Sequence, residues 1–360
     1  MWTYVVLILL PIVIQHISFS ETKIDENWHA RKMDISMKTF WYLLSFLLMV
    51  RNESVGVDVS TYGYIFDYIA ASEWREALGR SPEMAWSVIN KVVAALGGGF
   101  RSVIVLSTLL STFWISRAYL KYTNDVSLTI SLFIILPNFI LPFSGLRQAI
   151  AISLGFLAFE YVRRKKLIPV MCITLIAILF HTSAFMIFFM YPLYHVRITR
   201  KWLLFVIPVL SCVFAFNRQI FTVLGLILNQ FTDYDTIISE TGSITMLILF
   251  IIFALFSYVI PEEETLDPDT AGMRNFLLLS VAIQMFAPLH NLAMRMNYYY
   301  IAFIPLLIPR IIHYRSAQMA QVAIIARHIM VIFFVIYFFV VAPSDNLLHT
   351  FPYQFFWQTA

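Results

Sequence analysis

Charge is what this sequence is shortest of. Only 13% of its 360 residues are Asp, Glu, Lys or Arg, about half the share of an ordinary globular domain. Hydrophobic residues make up 60% and aromatic residues 16%. Such a surface suits lipid, where a charge is expensive, better than water. The shortage excludes a nucleic-acid-binding domain, which needs a basic face in solution. The formal net charge of +4 therefore reports orientation in a bilayer rather than partners. Cysteine is scarce too. Cys172 and Cys212 both lie inside apolar runs, so neither a disulfide framework nor a thiolate metal site is readable. Positive charge is missing before the first apolar run, residues 2–19, and follows it at Lys23, Arg31, Lys32 and Lys38. A cleavable signal peptide has the opposite pattern, and a retained helix with its N-terminus outside is expected. Period-2 alternation at ten-residue spacing is absent, which argues against a barrel. Repeats and low-complexity linkers are absent as well, which leaves residues 1–360 as a single integral membrane domain.

What is present is a series of apolar runs, at 2–19, 36–50, 101–119, 126–143, 147–162, 167–194, 202–217, 244–260, 276–293, 297–312 and 323–342. Most are about as long as a bilayer core is thick. The expected fold is all-α, a polytopic membrane helical bundle of about 11–12 transmembrane segments. The run 167–194 is too long for one routine crossing: as a single helix it would extend about 42 Å. It is flanked on both sides by basic residues, Arg163 to Lys166 and then Arg197, Arg200 and Lys201. A re-entrant or short-helix hairpin turning near His181 puts both clusters on the cytoplasmic side. That topology places 17 of the 25 Lys and Arg residues inside, whereas a single crossing places 12 there. The positive-inside rule selects the hairpin. Arg51, Asp58, Arg147, His181, Arg295 and Tyr353 then share the external face.

Residues 51–100 form the longest external loop. Within it, Ser81-Pro82-Glu83 reads as a helix start, with Ser at the N-cap and Pro in the first turn. Met84, Val88, Val92 and Leu96 recur at helical spacing before Gly97-Gly98-Gly99 stops the helix. An amphipathic interfacial helix over about 82–96 is expected; the alternative is a plain loop helix packed on the bundle.

No phosphate-binding glycine loop, HExxH, Cys-x-x-Cys or GxSxG motif is present. The candidates are ionisable residues beside apolar helices, where burying one costs roughly 2.5–3.5 kcal/mol on insertion scales. Arg51, Asp58 and Tyr62 follow directly on an apolar run; the plainer reading of Arg51 is an interfacial anchor. Ser144-Gly145-Leu146-Arg147-Gln148 comes after Pro137 and Pro142, which break the incoming helix. Arg147 then starts the next helix, so its guanidinium and the positive helix end face one spot. That combination suits a phosphate or diphosphate; the alternative is a snorkelling Arg. His181, in Phe-His-Thr-Ser-Ala, is either a structural hydrogen-bonding residue or a base, acid or phosphate ligand. Arg295-Met296-Asn297-Tyr298-Tyr299-Tyr300 reads as a polar pocket with an aromatic rim, although tyrosine belts also occur at interfaces without function. Asp67, Glu73 and Glu76 have the spacing of a solvated face. No dense Asp/Glu cluster is visible, so no metal is expected.

Taken in order, Arg51…Val55-Gly56-Val57-Asp58…Tyr62, Gly145-Leu146-Arg147-Gln148, Phe180-His181-Thr182-Ser183-Ala184, Arg295-x-Asn297-Tyr298-Tyr299 and Pro352-Tyr353 resemble the EpsG-type branch of the Wzy-like polysaccharide polymerases. The resemblance spans most of the chain. It implies a multi-pass glycosyltransferase of the bacterial inner membrane, its active face external, that joins repeat units of O-antigen, capsule or exopolysaccharide. Donor and acceptor are both carried on undecaprenyl diphosphate, with no cofactor, and a chain-length regulator is an expected partner. On this resemblance Arg51, Arg147 and Arg295 hold lipid diphosphate. Asp58 or His181 takes the proton from the attacking hydroxyl, and Tyr62, Gln148, Asn297, Tyr298 and Tyr353 orient sugars or phosphates. Two alternatives use similar residues. An O-antigen ligase would carry a long external loop with its own basic pocket. A lipid-linked oligosaccharide flippase would place charges at several depths in two repeated halves.

Overall fold

Proline and glycine break the apolar run 126–143 and part it from the next. The computed structural model describes residues 1–16, 26–79, 83–228, 240–261, 266–313, 320–344, 346 and 348–358. The chain folds as an all-α polytopic membrane bundle. Its helices, in chain order, are α1 (Trp2–His16), α2 (Glu26–Val50), α3 (Val59–Ala71), α4 (Trp74–Gly79), α5 (Met84–Ala95), α6 (Phe100–Tyr122), α7 (Val126–Ile135), α8 (Pro137–Ser144), α9 (Leu146–Arg163) and α10 (Leu167–Ile178). Then follow α11 (Ile187–His195), α12 (Arg200–Ala215), α13 (Asn217–Leu228), α14 (Glu240–Val259), α15 (Pro268–Gln284), α16 (Asn291–Ile301), α17 (Ile304–His313) and α18 (Ala320–Val341).

Among the described residues, four helices are long and apolar enough to cross a membrane alone: Met33–Val50, Phe100–Tyr122, Gly242–Val259 and Gln321–Val341. Counting two bent pairs as spans makes six. This is fewer than the eleven or twelve apolar runs, for a physical reason. Pro137 has no N–H to continue the ladder of α7, and α8 departs from α7 at 60°. Gly145 separates α8 from α9. The run 167–194 breaks where expected: α10 ends at Ile178, and a 3-10 turn over Thr182–Met186 precedes α11. Ser81 and Pro82, read as the start of the loop helix, lie outside the described residues.

The helices group into two compact units. The first comprises Met1–Phe185 and Ile325–Ala360, the second Met186–Ile324. In the first unit α6 packs on α9 through small and hydroxyl side chains. Ser107, Thr108, Ser111 and Thr112 are buried on α6 and Ala149, Ala151, Ser153 and Ala158 on α9. Such residues let helices approach closely where lipid removes the hydrophobic incentive to associate. The Ser153 hydroxyl accepts from the Trp114 N–H at 3.2 Å. An aromatic cluster of Tyr4, Phe139, Phe143, Phe338, Phe351 and Tyr353 joins α1, α8, α18 and the tail. Its edge-to-face pairs contribute about 0.5–1.5 kcal/mol each beyond burial. A second cluster, in which Tyr62, Phe66, Trp86, Val93, Phe100 and Leu146 are buried, seats α3 and α5 on α6 and α9.

The second unit is built around α15, which contacts α11, α14, α16 and α17. The Asn275 amide donates to the carbonyls of Leu193 and Val196, both at 2.7 Å. Gln284 donates to the Ser243 carbonyl at 3.1 Å. An apolar groove of about 560 Å³ runs between α12, α14 and α15, lined by residues such as Leu210, Ile248 and Val281.

Candidate active site

The site in the first unit begins with a glycine. Gly56 has φ +112°, and a Cβ there would stand 2.0 Å from the carbonyl oxygen of Phe143. Only glycine allows the loop after α2 to press so closely on α8. This contact brings Asp58 to Ser144, the last residue of α8. The Ser144 hydroxyl accepts from the Asp58 N–H at 3.2 Å and donates to the Asp58 carboxylate at 3.1 Å. The chain then turns through Gly145 into α9, which places Arg147 in the first turn and the buried Gln148 beside it.

The Arg147 guanidinium lies over the Tyr62 ring, 5.2 Å from its centroid, and its Nε donates to the Tyr62 hydroxyl at 3.4 Å. Tyr62 is in turn packed 5.2 Å from Trp86 of α5. From the other side Arg147 Nη1 donates to Glu83, the residue just before α5. Glu83 is 6% exposed, and its second oxygen accepts from His181 Nδ1 at 2.7 Å. The Thr182 N–H approaches the same oxygen at 3.4 Å. A backbone bond from Ala85 N–H to the Leu179 carbonyl, 3.0 Å long, fixes the start of α5 to the end of α10. Gln148 Nε2 reaches the Ser183 hydroxyl at 3.4 Å.

An ionised carboxylate only accepts hydrogen bonds, so the contact with Glu83 puts a proton on His181 Nδ1, and whenever the imidazole is neutral its lone pair is on Nε2. That Nε2 is buried and has no hydrogen-bond partner among the described residues. Burial opposes charge on Glu83, but the His181 hydrogen bond and the Arg147 charge outweigh it and hold the carboxyl below its ordinary value. The arrangement therefore offers a cation, an imidazole with an unpaired nitrogen, and a second carboxylate at Asp58. Among the described residues no group of three or more His, Cys, Asp or Glu side chains is placed to hold a metal ion.

Asp58, Tyr62, Arg147, Gln148 and His181 thus come together as one polar cluster. Arg51 and Tyr353 belong to the same unit but are turned to a different use. Arg51 is fully buried; Nη1 donates to the Leu48 carbonyl at 2.7 Å, while Nε and Nη2 have no partner among the described residues. Tyr353 donates to the Leu47 carbonyl at 2.7 Å, and Phe355 pairs with Arg51 in an isolated antiparallel bridge. The expected diphosphate ligand Arg51 therefore lies under the tail. Arg295, Asn297 and Tyr298 belong to the second unit, on α16. Arg295 is exposed and Tyr298 half-buried. Asn297 is fully buried, and its amide donates to the Ser280 carbonyl at 3.1 Å and to Gln284 at 2.9 Å.

Glu83 is the member of the cluster that the sequence concealed. It caps the start of a helix, where a carboxylate is ordinary, and its partners Arg147 and His181 are 64 and 98 residues away. The one local signal is an acid opening a helix whose other side chains are mostly apolar. No curated protein and no solved structure matches the chain. Residues 35–355, nearly the whole length, match the family model described as EpsG family, and the chain belongs to this Wzy-like, polymerase-type family of polysaccharide biosynthesis.

Proposed function

We propose that the chain is a membrane glycosyltransferase that polymerises glycan repeat units, moving a growing glycan from its lipid diphosphate onto the sugar of another lipid-linked unit. One observation carries the reading: Arg147 of α9 and His181 from the turn after α10 converge on a single buried carboxylate with Asp58 and Tyr62 alongside. An arginine suited to a diphosphate thus stands beside a base with an open nitrogen. In the reaction, His181 Nε2 takes the proton of the acceptor hydroxyl while its oxygen bonds to the anomeric carbon. The bond from that carbon to the diphosphate oxygen breaks, and the electron pair leaves on the undecaprenyl diphosphate. Arg147 receives this charge through bidentate, charge-assisted hydrogen bonds. Such a base is worth about 10²- to 10⁴-fold. The exposed Asp58 carboxylate holds acceptor hydroxyls, and Tyr62 and Gln148 support the anion side. Arg295, in the second unit, is assigned to a lipid diphosphate as well. A single displacement inverts the anomeric centre. The reaction belongs at the external face of a bacterial inner membrane, with a chain-length regulator as protein partner.

The test is complementation of cells lacking the chain, read as glycan length on gels and as surface labelling of repeat units. Arg147→Ala and His181→Ala should abolish long chains and leave single units at the surface. Normal long chains in both variants would sink the assignment. Repeat units trapped inside the cell would instead indicate a flippase.

A further inference from the structure

Glu83 is the charged member of the cluster to which the reaction just described gives no part. Its two carboxylate oxygens go to different partners, one to Arg147 and one to His181. We propose that Glu83 is a positioning residue and the resident anion of the site: it occupies Arg147 when no substrate is bound, and an arriving diphosphate displaces it there and leaves it on His181 alone. The inference rests on the assignment of Arg147 to the lipid diphosphate.

The two bonds are anchored unequally, and this decides which one yields. On the His181 side both ends are fixed by backbone. Glu83 directly precedes α5, whose Ala85 N–H is bonded to the Leu179 carbonyl, and the Thr182 N–H points at the same carboxylate oxygen that His181 uses. The backbones that carry imidazole and carboxylate are therefore held together, and a second donor keeps the carboxylate oxygen on the His181 side. On the Arg147 side the link is a long side chain, 28% exposed, resting on the Tyr62 ring. It can swing about that ring and keep its cation–π contact. A guanidinium offers five donors, and a diphosphate presents more charge to them than one carboxylate does. The two anions repel each other when both face the same cation, so substrate takes Arg147. The oxygen of Glu83 that binds His181 is not the one surrendered, so the imidazole keeps its tautomer while the anion changes hands.

The arrangement has a measurable signature. Glu83→Gln removes the competing anion from Arg147 and leaves His181 only a neutral amide oxygen, which supports the imidazolium formed on proton uptake less well than a carboxylate does. Anion affinity should rise as turnover falls, a combination that loss of folded protein does not produce. The protein, purified in lipid nanodiscs, is titrated calorimetrically with inorganic pyrophosphate and assayed with the lipid-linked repeat unit extracted from cells lacking the chain. Glu83→Gln should bind pyrophosphate several-fold more tightly than wild type. With the lipid-linked unit it should show a lower KM together with a kcat reduced by about 10²-fold or more, the scale for a mispositioned base. Glu83→Asp keeps the charge needed for folding but is one methylene short of spanning both partners, so it too should bind pyrophosphate more tightly. If neither variant binds more tightly than wild type, or if neither variant nor wild type binds at all, the displacement is wrong. Arg147→Ala separates the levels. If it still binds pyrophosphate and polymerises, the diphosphate assignment itself fails. If it loses both while the Glu83 variants match wild type, only the role of Glu83 fails.

Discussion

At the scale of single residues, the site depends on positions where one atom decides. Gly56 is the clearest. Its positive φ and the Phe143 carbonyl 2.0 Å from a would-be Cβ leave no route for a side chain, because a backbone carbonyl on a packed helix cannot step aside. Gly56→Ala should displace the loop that carries Asp58 and cost roughly 1–3 kcal/mol of strain. A thermal melt of the detergent-solubilised protein should show the loss, together with shortened glycan in complemented cells; an unchanged melt would show that the loop is not tied to α8 as described. The same scale explains what the sequence disclosed. Asp58, Arg147 and His181 stand out because an ionisable residue beside an apolar run has few innocent explanations. Glu83 does not stand out, since a carboxylate opening a helix is ordinary and only the fold brings it to a cation and an imidazole. Asn297, which the resemblance assigns to orienting sugars or phosphates, is fully buried, and its amide donates to the Ser280 carbonyl and to Gln284.

At the scale of elements, two pieces flank the cluster. Helix α5 buries Trp86, Ser87, Asn90 and Val93, while Met84, Val88, Val92 and Leu96 on another face are exposed. The helix that follows, α6, is one of the four able to cross a membrane alone and starts at Phe100. The intervening residues reach at most about 14–18 Å, so the stripe lies close to the bilayer boundary. We expect it to rest in the lipid headgroup region, which would place Glu83, at the head of the same helix, at the depth of a lipid diphosphate. A fluorophore that brightens in lipid, attached at a cysteine replacing Val88, should be quenched by nitroxide-labelled headgroups in vesicles, with Cys172 and Cys212 replaced by serine. Emission typical of water and no quenching would mean that the stripe faces solvent.

The tail is the second element. Its backbone bonds reach the loop after α2 at three points: Asn52 N–H to the Gln354 carbonyl at 2.8 Å, Gly56 N–H to His349 at 3.1 Å and Val57 N–H to Leu348 at 3.2 Å. Arg101 adds a bond to the Arg51 carbonyl at 2.6 Å and rests 4.8 Å from the Phe356 ring. The tail thus braces the segment that ends in Asp58. Tyr353→Phe should cost about 0.5–1.5 kcal/mol, the worth of one hydrogen bond, with little change in glycan length. Removing residues 349–358 should abolish long chains while the protein still reaches the membrane. Full polymer from the truncated protein would separate the tail from the site.

At the scale of the whole molecule, composition made the membrane bundle legible, because a chain this poor in charge has no other way to hide its surface. It did not make the helix count legible. Hydropathy registers an apolar run but not a bend within it, so the run 126–143 became two helices at 60°, and the run near 202–217 continues into α13 across a 73° bend. The break at His181 was legible for a different reason: the run was too long and basic at both ends. The division between the two units falls at Phe185 and Met186, in the turn that follows that histidine. Topology hangs on whether the chain folds back there, since a single crossing would reverse the side of every later helix. A phosphatase and fluorescent-protein reporter pair fused after Thr199 decides it. A fold-back puts Arg197, Arg200 and Lys201 in the cytoplasm, so the fluorescent fusion should glow and the phosphatase stay silent. Phosphatase activity at Thr199 would place those three cations outside against the positive-inside bias, and it would overturn the external placement expected for Arg295.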